Sequence, residues 1–170
     1  VAGLSPAAAA IAVSLMGIAN GLGRPLFGTL TDHYGPRNAA RLAYAFIILS
    51  ATLLLLSHNI QISMIKIILF AVGFSLFWLI LGGWLAIAPA ATSQLFGRRF
   101  YSRNYGFVYT GYGAGAIIGT LLAKAALEIL GGYTPLFVFL LAAGVLGLLV
   151  FSRLLPVPGE TDVHPEAASE

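Results

Sequence analysis

Apolar residues in this chain fall in long continuous runs, with no strand-like alternation. Five such blocks, at about 6–30, 39–57, 61–96, 104–130 and 134–154, are separated by short polar breaks. Crossing a bilayer as a helix takes roughly 20 apolar residues. Inside hydrocarbon every backbone N–H and C=O must be bonded internally, which leaves helices or a closed barrel. Barrel strands would alternate apolar and polar positions, and these runs do not. The pattern predicts an all-α integral membrane fold of five transmembrane helices. The third block is too long for one straight span and contains Gly82, Gly83 and Pro89. It reads as one kinked, tilted helix, with two half-helices meeting near Gly82 as the alternative.

The polar breaks alternate in charge. The first holds His33, Arg37 and Arg41 and the third Arg98, Arg99 and Arg103, while the second (57–61) and the fourth, around Gly131 and Gly132, hold no Lys or Arg. Arg153 closes the fifth block. The positive-inside rule then places breaks one and three and the C-terminus in the cytoplasm of a multi-pass cell-membrane protein. Residues 1–155 form the predicted bundle. Residues 156–170 are acidic, rich in Pro and Ala and without periodicity, and are expected to be a disordered cytoplasmic tail.

Composition sharpens this picture. Of the 170 residues 59% are hydrophobic and only 9% charged, against about 25% charged in soluble domains, so lipid is the solvent for much of the surface. The absence of cysteine rules out disulfides and thiolate chemistry. The formal net charge of +3 is scattered between apolar blocks, which argues against a nucleic-acid partner. His33, His58 and His164 form no metal-ligand pattern, and no nucleophile–base pair, carboxylate dyad or Walker-type loop is visible. Neither an enzyme nor a cofactor is expected. The chain begins at Val1 inside an apolar stretch, which reads as a truncation point.

The densest motif is the first break, Gly28-Thr29-Leu30-Thr31-Asp32-His33-Tyr34-Gly35-Pro36-Arg37. It resembles the signature loop of the major facilitator superfamily, G-x-L-x-D-R-x-G-x-R. The resemblance implies a gating loop with Gly28 and Gly35 as turn residues, Asp32 as the gate acid and Arg37 as its basic companion. His33 stands where the family usually has Arg or Lys. The runs Asn20 to Gly28, Ala88 to Thr92, Phe96 to Arg99 and Asn104 to Gly113 are similar to the oxalate/formate antiporter family. That resemblance covers about 17–155 and implies a partial major-facilitator C-terminal helix bundle, helices eight to twelve. It also implies a missing N-terminal half and helix seven, alternating access, and a small carboxylate substrate.

Arg24 lies eight positions before Asp32, so roughly 12 Å deeper along a helix. A guanidinium at that depth faces a cavity or a partner, and no acid of this chain sits at matching depth. A substrate carboxylate would satisfy it in bidentate geometry, as the resemblance implies for the matching Arg. An ion pair with an acid outside this chain is the alternative. Tyr105, Tyr109 and Tyr112 share one helix face. Tyr109 and Tyr112 are candidates for lining a polar cavity, and Trp84, beside Pro89, is a third. Tyr112 stands where oxalate-handling members carry Lys, so a monocarboxylate fits this half better than a dianion. Lys66 and Lys124 lie near span ends and can snorkel, and Lys124 can pair with Glu128. Gly17 with Gly21, and Gly111 with Gly115 and Gly119, are candidates for close helix packing. The alternatives are a non-transporting structural or assembly subunit, which would need neither Arg24 nor the Asp32 loop, and a major-facilitator carrier for a different small solute.

Overall fold

The computed structural model describes residues 6–154, all in helices and short connections: α1 (Pro6–Asn59), α2 (Ser63–Phe96), α3 (Tyr101–Ile129) and α4 (Thr134–Leu154). All four are long and apolar enough to cross a membrane. The expected count of five helices is not matched. The first two apolar blocks fall in the single element α1, which is interrupted at one residue, Gly35, with φ 76° and ψ 159°. The physical reason is local. Gly tolerates this left-handed φ, and the proline that follows disfavours helical geometry at the residue before it. Pro36 then starts the next helical stretch, where its missing N–H costs nothing. One residue therefore does the work expected of an eight-residue polar loop, and Thr31 to Tyr34 stay helical. Below, the two stretches of α1 are the first arm (6–34) and the second arm (36–59). The tail 156–170 lies outside the described residues.

α2 runs unbroken through Gly82, Gly83 and Pro89. It ends at Gly97, with φ 71°, and α3 ends before Gly131, with φ 72°. The first arm lies parallel to α2. The Asn20 side chain donates to the Trp78 carbonyl at 3.1 Å, a Cβ at Gly82 would land on the Asn20 carbonyl, and the Phe27 ring fills the space over Gly83. The second arm folds back antiparallel to α2, where the buried Ser50 hydroxyl donates to the Gly73 carbonyl. α4 packs antiparallel to the second arm, with Tyr44 against Gly147 and Ile47 against Gly144.

The buried core is small-residue-rich: Ala39, Ala40 and Ala43 of the second arm meet Phe27, Ile80 and Ile87. Phe27 and Phe46 meet edge-on, 6.4 Å apart at 88°. Small side chains suit helices that associate by close van der Waals contact rather than by expelling water. α3 touches only α2 and α4, and Ala126 is its one buried residue.

Candidate functional site

The first arm presents three different sides. Asn20, Gly23 and Phe27 face α2. Ile11, Leu15, Ile18 and Leu22 are exposed, and helical spacing puts them on one apolar side suited to lipid. On a third side, about a third of a turn round from the lipid side, Gly17, Gly21, Arg24 and Gly28 recur at three- and four-residue spacing. Gly17 and Gly21 border open space. Arg24 is exposed on this small-residue stripe. It makes no side-chain hydrogen bond and no ion pair among the described residues, where Lys124 to Glu128, at 3.9 Å, is the one ion pair.

A cavity of about 510 Å³ lies between the second arm, α2, α3 and α4. Trp84, Tyr109 and Tyr112 all line it, together with Tyr44, Tyr105 and Phe151. Tyr44, Trp84 and Phe151 form a triad of rings with centroids 5.2–5.6 Å apart. Across from them Tyr105, Tyr109 and Tyr112 climb α3, with Tyr109 and Tyr112 stacked at 5.4 Å. Edge-to-face and offset contacts of this kind hold ring walls at defined spacing. The walls offer phenol and indole polar tips but no charged group, so the cavity alone does not neutralise an anion. Arg24 is not among its lining residues. Sequence reasoning missed Tyr44 and Phe151. The available signal was Gly147, whose missing side chain makes room on α4 for the Tyr44 ring.

At the break, Asp32 is exposed and in no ion pair among the described residues, and His33 bonds the Thr29 carbonyl through Nδ1 at 2.9 Å. Gly28 sits against Ala86, and Gly35 makes the turn. Arg37 reaches away from Asp32: one guanidinium nitrogen donates to the Ser152 carbonyl. Arg41 Nε donates to Ser152 Oγ at 3.0 Å. The last carbonyls of a helix lack intrahelical partners and carry the negative end of its dipole, so arginines are apt there. Arg37 Nε is buried without a partner. Ser152 had no motif to announce it; tertiary packing alone brings it here. No group of three His, Asp or Glu among the described residues could hold a metal.

Long apolar helices, a one-residue Gly-Pro break after Asp32 and Gly-mediated helix contacts frame the comparison with known proteins. The family model of the Major Facilitator Superfamily matches residues 1–170. The chain belongs to the Major Facilitator Superfamily. With four helices long and apolar enough to cross a membrane, it fits a multi-pass membrane protein of that family. It is 28% identical, over 95% of its length, to an oxalate:formate antiporter of Oxalobacter formigenes. It spans 40% of that relative's length. No solved structure gives a significant match.

Proposed function

We propose that this Major Facilitator Superfamily chain is the C-terminal part of an alternating-access carrier for a small carboxylate. In this reading α1 supplies two spans, one per arm, and the described helices are the eighth to twelfth of a full carrier in the cell membrane. The C-terminus is cytoplasmic, and an N-terminal half completes the site. The observation that carries the reading is the lone guanidinium of Arg24, which lies within a span on an open stripe of small residues. A charge so placed calls for an anionic partner. The similarity to an oxalate:formate antiporter supports a carboxylate in that role.

Arg24 holds the carboxylate in bidentate geometry. Trp84, Tyr109 and Tyr112 contact the body of the solute from the aromatic cavity, on the other side of α2. Both walls meet the solute only as the helices rearrange during the cycle. Asp32, with Gly28 and Gly35, sets the gate, and Arg37 anchors the second arm to α4. A single cation favours a monocarboxylate over a dianion. Either anion exchange or proton-coupled symport is compatible with these residues.

The test is uptake of radiolabelled formate, lactate and oxalate by the full-length protein in proteoliposomes. Arg24→Gln is expected to lower uptake at least about tenfold, the worth of one charge-assisted hydrogen bond, and Arg24→Lys to restore part of it. Uptake of all three unchanged in Arg24→Gln overturns the assignment. The uncharged lining of the cavity favours one second reading, a carrier for a neutral solute. Under it Trp84→Ala abolishes transport while Arg24→Gln does not.

A further inference from the structure

A second cavity, of about 620 Å³, lies at the opposite end of the bundle from Gly35 and Ser152. It opens between the end of the second arm, the start of α2, the far end of α3 and the start of α4. Its polar groups are gathered at the helix ends, with His58 closing α1 and Lys66 in the first turn of α2. Further into the span the walls are apolar: Leu54, Ala123, and Phe70 with Phe74, whose rings stack 5.4 Å apart at 20°. Phe74 is eight residues beyond Lys66, so the apolar part extends roughly 12 Å along the helix axis.

This arrangement differs from both regions already described. Lys66 lies seventeen positions before Gly83 on α2, roughly 25 Å from the level at which α2 meets the first arm beside Arg24. Lys66 has no acidic partner among the described residues, whereas the other cation at this end, Lys124, is paired with Glu128 at 3.9 Å. The Ser57 hydroxyl proton is already given to the Leu54 carbonyl at 2.7 Å, so this hydroxyl has no donor left for a deeply placed anion. A small hydrophilic anion would bind Lys66 and leave the apolar depth unfilled. A molecule with an anionic head and a hydrocarbon chain satisfies both, and the surrounding bilayer is made of such molecules. A lysine ammonium at the mouth of a gap between helices makes charge-assisted hydrogen bonds with a headgroup phosphate.

We propose that this cavity is a binding site for an anionic phospholipid. One acyl chain lies along Phe70 and Phe74 towards Ala123, and the headgroup phosphate rests on Lys66 with His58 beside it. The site is independent of the carboxylate reading, because it uses neither Arg24 nor the aromatic cavity.

The test uses the full-length protein, delipidated and titrated in detergent with equal amounts of phosphatidylglycerol and phosphatidylcholine, with retained lipid read by native mass spectrometry. Wild type is expected to retain phosphatidylglycerol preferentially. Lys66→Gln is expected to reduce that preference about fivefold, the worth of one interfacial lysine, without abolishing lipid retention. Lys66→Arg restores the preference. Ala123→Phe, which fills the depth, is expected to lower retention of both lipids. Inorganic phosphate is expected not to displace bound lipid; displacement by phosphate alone means a simple anion site and overturns the proposal. So does a phosphatidylglycerol preference that survives Lys66→Gln, or retention that survives Ala123→Phe. If Ala123→Phe fails to fold, Phe70→Trp probes the same wall by its fluorescence, which bromine on the acyl chain should quench. No quenching overturns the proposal equally.

Discussion

Two glycine-rich regions of this protein behave in opposite ways. Where the first arm meets α2, Gly23, Gly82 and Gly83 let the backbones touch: a Cβ at Gly23 or Gly82 would collide with a carbonyl of the facing helix. Along α3, Gly106, Gly111, Gly113, Gly115 and Gly119 have nothing within 4 Å of where a Cβ would stand. Both regions carry closely spaced small residues, but by sequence Gly111, Gly115 and Gly119 read as a packing face, whereas Gly82 and Gly83 read as interruptions of a long apolar block. The difference shows that small-residue spacing gives a helix the capacity for close approach without naming the partner. The first-arm contact is completed within this chain. The open face of α3, like Gly17 and Gly21 beside Arg24, remains available to a neighbour.

The sharpest challenge to this contrast is Gly82→Ala. Its methyl would displace the Asn20 carbonyl, and overpacking at backbone contact is expected to cost about 3 kcal/mol, read as a lower thermal midpoint in detergent. A wild-type midpoint would mean that the interface is looser than the structure shows. Arg37→Ala comes next, at about 2 kcal/mol, because it removes a charge-assisted bond from the Ser152 carbonyl at the end of α4. Ser50→Ala, which loses the bond to the Gly73 carbonyl, should cost about 0.6 kcal/mol, the usual size of such bonds between membrane helices. Gly115→Ala is expected to change this 170-residue chain by less than about 0.5 kcal/mol. A loss in the full-length protein as large as that of Gly82→Ala would show that a neighbour covers α3 there.

The candidate site was unevenly legible. Trp84, Tyr109 and Tyr112 could be named from sequence because large aromatics with polar tips are conspicuous inside apolar spans, and they line one cavity. Arg24 was equally conspicuous, yet it faces a different side of the bundle and does not join them. Helical spacing reports which residues share a side of one helix. It says nothing of which neighbour that side meets. For the same reason Arg37, grouped with Asp32 by the motif, turns to Ser152, 115 positions away in the chain.

Long uninterrupted apolar runs and sparse charge determined by themselves that the chain is helical and lies in a membrane, since unpaired backbone groups are intolerable in hydrocarbon. The Gly35-Pro36 pair likewise carries its own local conformational preference, although its consequence, a one-residue break joining two arms, is visible only in the folded structure. The pairing of the arms with α2 and α4 and the separation of Arg24 from the aromatic cavity were decided by tertiary structure. So was the capture of Ser152 by two arginines. These depend on which faces meet, and in a chain surrounded by lipid nearly every face is apolar enough to meet another. Shape and a few polar contacts select among them, and neither can be read from composition or spacing.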